Sequence, residues 1–158
     1  MLTIRRILHP TDFSDLSRPA FELACSLARD FGARLVVCHI TPPPVAAVVE
    51  GMVVDVPAGE SEQTRTRLEQ VKPTDTSIKV VHRLEVGDAV REIIRLADEE
   101  KADLIVMGTH GRGGVSRLLM GSVAEGVMRK APCPVLTLKA AVTAEQPRPA
   151  PGKQLVTV

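Results

Sequence analysis

GTHGRGGVSRLLMGS, residues 108–122, is the stretch on which the fold of this chain turns. It follows the apolar run Leu104-Ile105-Val106-Met107 and precedes a helix-like segment, residues 123–130. A glycine-rich turn that leaves a buried strand and enters a helix is a place where backbone N–H groups converge on a phosphate. Gly111, Gly113 and Gly114 let the chain take positive φ and bring peptide nitrogens near a ligand with no Cβ in the way. Gly121 and Ser122 open the helix, with Ser122 expected as its cap and as a hydroxyl donor. The competing reading is a long surface turn that tolerates glycine.

Outward from this loop, the pattern alternates. Residues 4–9 read as a buried strand ended by Pro10-Thr11-Asp12. A helix follows, starting between Ser14 and Pro19 with Ser14 or Ser17 as cap. Ala20, Ala24, Leu27, Ala28 and Phe31 form its buried stripe and Gly32 its stop. Residues 33–40 are a second strand, apolar at its centre as parallel strands covered on both faces are. Thr41-Pro42-Pro43-Pro44 interrupts it. Residues 45–57 are apolar without a clean period and read as a mobile loop or a partner surface. A short polar helix at 60–71, a third strand at 78–86 and a helix capped by Asp88 follow. That helix carries Val90, Ile93, Ile94 and Ala97 on one face. Strand four is 104–107. The last helix buries Val123 and Val127, and strand five is 135–139.

This order predicts an α/β fold: a three-layer α/β/α sandwich around a five-stranded parallel sheet. Strand order 3-2-1-4-5 sets strands 1 and 4 side by side. Their carboxyl ends then form the switch point at which ligands bind in open α/β sheets. The domain is expected to span 1–139, with 140–158, rich in proline, as a flexible tail.

Composition narrows the function classes. With 44% hydrophobic residues and 2% aromatic, the core must be aliphatic. Stacking platforms for single-stranded nucleic acid are missing. A net charge of +1 with mixed signs gives no basic stripe for nucleic acid or membrane. No apolar run is long enough to span a bilayer. The N-terminal residues lack the apolar segment of a signal peptide. Cys25, Cys38 and Cys133 lie far apart with no C-x-x-C, as buried reduced thiols do, so the expectation is a cytoplasmic protein.

A Walker A loop is excluded because its lysine is missing, and a dinucleotide fingerprint because the glycines follow the fourth strand. What fits is G-x2-G-x9-G-[ST], carried by Gly108, Gly111, Gly121 and Ser122. With His9-Pro10-Thr11-Asp12-Phe13-Ser14, Gly87-Asp88, residues 103–108 and Ala131-Pro132-Cys133-Pro134-Val135, this resembles the ATP-binding branch of the universal stress protein family. The segment 41–77 and the tail depart from that pattern.

The resemblance implies an adenine nucleotide alpha hydrolase-like fold that binds ATP, or ADP or AMP, with Mg²⁺ held through the phosphates. Pro10, Thr11 and Asp12 would meet the nucleoside, and Ile40 would offer backbone groups to the adenine. Met107, Gly108 and Gly111 would let ribose and phosphate lie on the main chain, and Gly121, Ser122 and Val123 would hold the outer phosphates. Arg112 and Arg117 could add charge-assisted contacts, with Arg112 favoured by its place inside the loop and Arg117 open to being simply solvated, and His110 would either touch a phosphate or face water. His9 and His39 read as packed histidines rather than metal ligands, and His82 needs no special role. A homodimer through the strand at 135–139, and a further protein partner, are implied as well.

The leading expectation is a stress-response module working through nucleotide-linked conformation. One rival is a slow ATPase or self-phosphorylating enzyme, although no catalytic lysine or general base stands out. The other is a dimeric interaction protein that binds no nucleotide.

Overall fold

The computed structural model describes residues 3–43, 45–49, 52–56, 62–109 and 120–139. Among these residues the elements run in the order β1 (Arg6–Pro10), α1 (Arg18–Phe31), β2 (Arg34–Thr41), β3 (Val45–Val49), β4 (Met52–Val56), α2 (Glu62–Glu69), β5 (Val80–Val86), α3 (Ala89–Glu99), β6 (Leu104–Gly108), α4 (Ser122–Lys130) and β7 (Val135–Leu138). Five of the strands form one parallel sheet in the order β5-β2-β1-β6-β7. Counted along the chain, these are strands 3-2-1-4-5, the expected order.

Successive side chains on a strand face opposite sides of the sheet, and the two cores follow that rule. Ile7, Leu35, Val37, Leu104 and Val106 pack with Ala20, Ala24 and Ala28 of α1 and Leu68 of α2. Leu8, Val36, Cys38, Ile105 and Met107 pack with Ile93, Leu96 and Ala97 of α3 and Ala124 and Val127 of α4. The alanines of α1 let that helix lie close to the sheet. Its N-cap is Ser17, which makes no side-chain cap bond. Gly32, at φ 64°, ends it while Ala33 N–H donates to Ala28 O at 2.8 Å. Phe31 departs from the expected stripe. At 47% exposure on the last helical residue, it lies outside the core. On α4, Ala124 is buried with Val127, and Val123 is only half-buried.

Two further expectations are corrected. Residues 45–49 and 52–56 are not loop but a separate antiparallel ribbon, with Val49 opposite Met52 across its end. Helix α4 begins one residue early: Gly121, extended at φ −64° and ψ 148°, is the cap, and Ser122 is the first helical residue. Gly121 O accepts from Glu125 N at 3.0 Å, which fixes that boundary. The Asp88 cap is as expected, its carboxylate accepting from Arg91 N at 2.9 Å. The expected tail lies outside the described residues. No helix among the described residues is long and apolar enough to cross a membrane.

Candidate functional site: the crevice between the two central strands

β1 and β6 are the central neighbours, and they pair only briefly. The ladder holds Ile7 with Leu104 and Leu8 with Ile105. At the amino end Asp103 clamps the strands, its Oδ2 accepting from Arg5 N and Arg6 N at 2.8 and 3.0 Å. At the carboxyl end a side chain takes over: His9 Nδ1 donates to Val106 O at 2.8 Å. That bond fixes the tautomer, because a carbonyl only accepts. His9 Nε2 is left as a buried lone pair with no partner among the described residues. The ring packs against Phe21 at 5.5 Å. Burial holds the His9 pKa down at about 4, against smaller raising effects of the Val106 carbonyl and Asp12. The β1–β6 ladder has no pair beyond Leu8 and Ile105, at the carboxyl ends where a sheet of this order has its switch point.

β1 leaves the sheet through a tightly bonded turn. Thr11 N–H donates to Cys38 O at 2.8 Å, the last main-chain bond to β2. Thr11 O then meets His39 Nδ1 at 2.7 Å. Thr11 Oγ1 accepts from Phe13 N at 3.1 Å. Asp12 Oδ1 accepts from both Ser14 N, at 3.0 Å, and Ser14 Oγ, at 2.6 Å, so its carboxylate caps the turn as well as edging the crevice. Phe13 takes φ 63°. The left-handed region costs a residue with a Cβ about 1–2 kcal/mol, so neighbouring contacts must hold it there. His39 lies 4.2 Å away, centroid to centroid, and the Arg67 guanidinium carbon sits 4.6 Å above the Phe13 ring.

Across the crevice, Gly108 closes β6 opposite Leu138 of β7. Thr109 N–H donates to Leu138 O at 2.8 Å, and Thr109 O accepts from Gly121 N at 2.7 Å. The strand end and the helix start are thus tied to one another. A helix leaves its first amides without intrahelical acceptors, and a glycine cap has no side chain to fill the role. The N–H groups of the first turn, from Ser122 on, carry the positive end of the α4 dipole.

The expected site residues fall into three groups. Pro10 and Asp12 are half-buried and Thr11 buried on the β1 turn; Ile40 is half-buried near the end of β2. Past Pro10, β2 has β5 alone as its ladder partner, with Ile40 opposite Glu85 and Thr41 opposite Val86. Gly108, Gly121, Ser122 and Val123 stand on the β6 and α4 side, with Ser122 exposed. The Met107 side chain belongs to the core at 5% exposure, which leaves its main chain for the crevice. His110, Gly111 and Arg112, with Gly113, Gly114 and Arg117, lie outside the described residues. The packed reading of His9 and His39 holds, each against its own phenylalanine. His82 Nε2 meets Val71 O at 2.9 Å.

The structure also brings Thr109, Phe13 and Arg67 to these two segments. Thr109 could have been found from its place next to the strand-ending Gly108. Nothing in the sequence points to Arg67, whose contact depends on where α2 docks.

A family model described as the universal stress protein family matches residues 3–139. This chain belongs to that family. A universal stress protein of Methanocaldococcus jannaschii is 36% identical over 139 residues, covering 85% of this chain and 82% of that protein. A solved structure of a second universal stress protein from that organism superposes with a TM-score of 0.71 at 25% identity, over 87% of this chain and 96% of the other. A universal stress protein solved in complex with cAMP superposes with a TM-score of 0.64 at 25% identity, over 87% and 98%. The likeness to these structures extends over the parallel sheet and the helices that cover it.

Proposed function

We propose that this universal stress protein binds an adenine nucleotide, ATP or its lower phosphates, in the crevice between β1 and β6. The carrying observation is that the bonded Asp12 turn and the glycine-capped start of α4 stand at the same end of adjoining strands. Pro10, Thr11 and Asp12 would meet ribose and adenine, with main-chain groups of Ile40 beside the base. Main chain at Met107, Gly108 and Gly111 would lie along ribose and phosphate. Gly121, Ser122 and Val123 would receive the outer phosphates, with His110 and Arg112 adding contacts from the loop. An anion at such a helix start gains ~0.3–2 kcal/mol from the dipole, before direct hydrogen bonds. Mg²⁺ would arrive on the phosphates. The relative solved with cAMP supports an adenine ligand.

In this reading residues 1–139 are the nucleotide-binding domain and 140–158 a tail. Bound nucleotide stabilises the closed crevice by mass action and alters what a protein partner meets. The two copies of a homodimer join through the β7 edge. Unbridged Cys25, Cys38 and Cys133 support a cytoplasmic setting.

The test is direct. Protein purified without added nucleotide is denatured, and the released small molecules are identified by mass spectrometry. The chain has no Trp or Tyr, so bound adenine dominates its near-ultraviolet absorbance. Release of ATP, ADP or AMP is the expected result. Protein that releases none of them and takes up none when they are added with Mg²⁺ overturns the reading.

A further inference from the structure

We propose that Arg67 of α2 is a positioning residue for the nucleotide site, holding the turn that presents Asp12; this rests on the nucleotide reading above. Phe13 follows Asp12 directly, and its positive φ fixes the direction in which the chain leaves Asp12. Arg67 contacts Phe13 twice. Its guanidinium lies over the ring at 4.6 Å, and Nη2 donates to Phe13 O at 3.3 Å. The first contact is a cation over an aromatic face. The second satisfies the carbonyl of a residue whose peptide is turned out of the ordinary region. His39, from β2, meets the same ring and also bonds Thr11 O. The turn is therefore held from inside by the sheet and from outside by α2.

Arg67 is exposed, and through its contacts to Phe13 it ties α2 to the Asp12 turn. A purely structural role would make it matter to stability. A positioning role makes it matter to the ligand end that Asp12 serves. Strain held in a left-handed Phe13 next to a ligand carboxylate marks a turn that the surrounding structure must specify.

The experiment compares wild type, Arg67→Ala and Arg67→Lys by calorimetric titration with ATP, ADP and AMP, and by amide hydrogen exchange of the nucleotide-free proteins. In Arg67→Ala, affinity is expected to fall about tenfold, by a similar factor for all three ligands. The Phe13 and Ser14 amides should exchange faster, while the urea midpoint barely moves. Arg67→Lys, which keeps a cation over the ring, should recover part of the affinity. A loss that grows with each added phosphate would instead make Arg67 a phosphate ligand and overturn the proposal. So would unchanged affinity in Arg67→Ala. If wild type binds none of the three nucleotides, the nucleotide reading falls, and the proposal for the site falls with it. Exchange at Phe13 and Ser14 then still reports separately whether Arg67 holds the turn.

Discussion

His9 shows how much one side chain at the switch point can decide. Its Nδ1–H bonds Val106 O where the β1–β6 ladder stops, and its Nε2 is buried without a partner among the described residues. Protonation would place a charge in that buried position, which is why its pKa falls from 6.5 to about 4. The linkage has a definite sign. The unfolded chain takes up the proton near pH 6.5, and the folded chain does so only near pH 4. Stability is therefore fully present above pH 6.5, declines as the pH falls toward 4, and levels off below. The decline attributable to this residue is about 3 kcal/mol, at ~1.36 kcal/mol per pKa unit. Urea titrations across this range should show it. His9→Asn keeps an N–H donor near Val106 O and removes the titration. It is expected to be less stable at pH 7 and to lose less between pH 6.5 and 4. An equal loss in both proteins would put the acid sensitivity elsewhere, on the carboxylates.

At the level of elements, the legible parts are those whose burial imposes a period. The strands behind Ile7, Leu35 and Ile105 show unbroken apolar centres because both faces of the sheet are covered. Asp88 was readable as a cap because a carboxylate before an apolar stripe has one obvious acceptor role. The β3–β4 ribbon was not readable, since its two strands pair with each other in a sheet of their own and not with the main sheet. At the site, the Asp12 turn was legible and the Ser122 cap was misplaced by one residue. Glycine can cap through backbone geometry alone, with no side chain to announce it. Contacts between elements are the least legible, and Gly126 is a clear case. A Cβ there would lie 2.8 Å from Val90 Cγ2 and 3.1 Å from Cγ1, so α3 and α4 approach across a missing methyl group. Alanine should gain roughly 1 kcal/mol from helix propensity. It must also displace a β-branched side chain whose rotation only exchanges one methyl for the other. Overpacking of this kind costs about 1–3 kcal/mol. Gly126→Ala is therefore expected to lower stability by about 1 kcal/mol in urea unfolding. In a Val90→Ala background the same change should raise stability. A gain in both backgrounds would mean that the helices separate freely.

For the molecule as a whole, the two edges of the sheet are built differently, and the difference bears on assembly. The β5 edge is backed by charge. Arg83 pairs with Glu85, Glu99 and Glu100 at 3.0, 3.2 and 2.7 Å, and Arg95 pairs with Glu85, Glu92 and Glu99 at 2.6, 2.7 and 2.7 Å. Charged side chains along an edge discourage another strand from adding to it. The β7 edge reads Val135-Leu136-Thr137-Leu138, with no charge within the strand and Leu136 39% exposed. Such an edge seeks a partner, and a second copy of the chain offers an identical one about a two-fold axis. The edge is also linked to the proposed site by two main-chain hydrogen bonds, Thr109 N–H to Leu138 O and Gly121 N–H to Thr109 O. Assembly and ligand binding would therefore act on the same short chain of main-chain bonds. Sedimentation equilibrium of the wild type should give a dimer. Leu136→Lys places a charge on the outer strand, where Leu136 is already part-exposed and the core loses little. It should leave the far-ultraviolet circular dichroism unchanged while shifting the sedimenting mass to that of a monomer. A Leu136→Lys protein that remains dimeric would move the interface away from β7, and the asymmetry of the two edges would then need another cause.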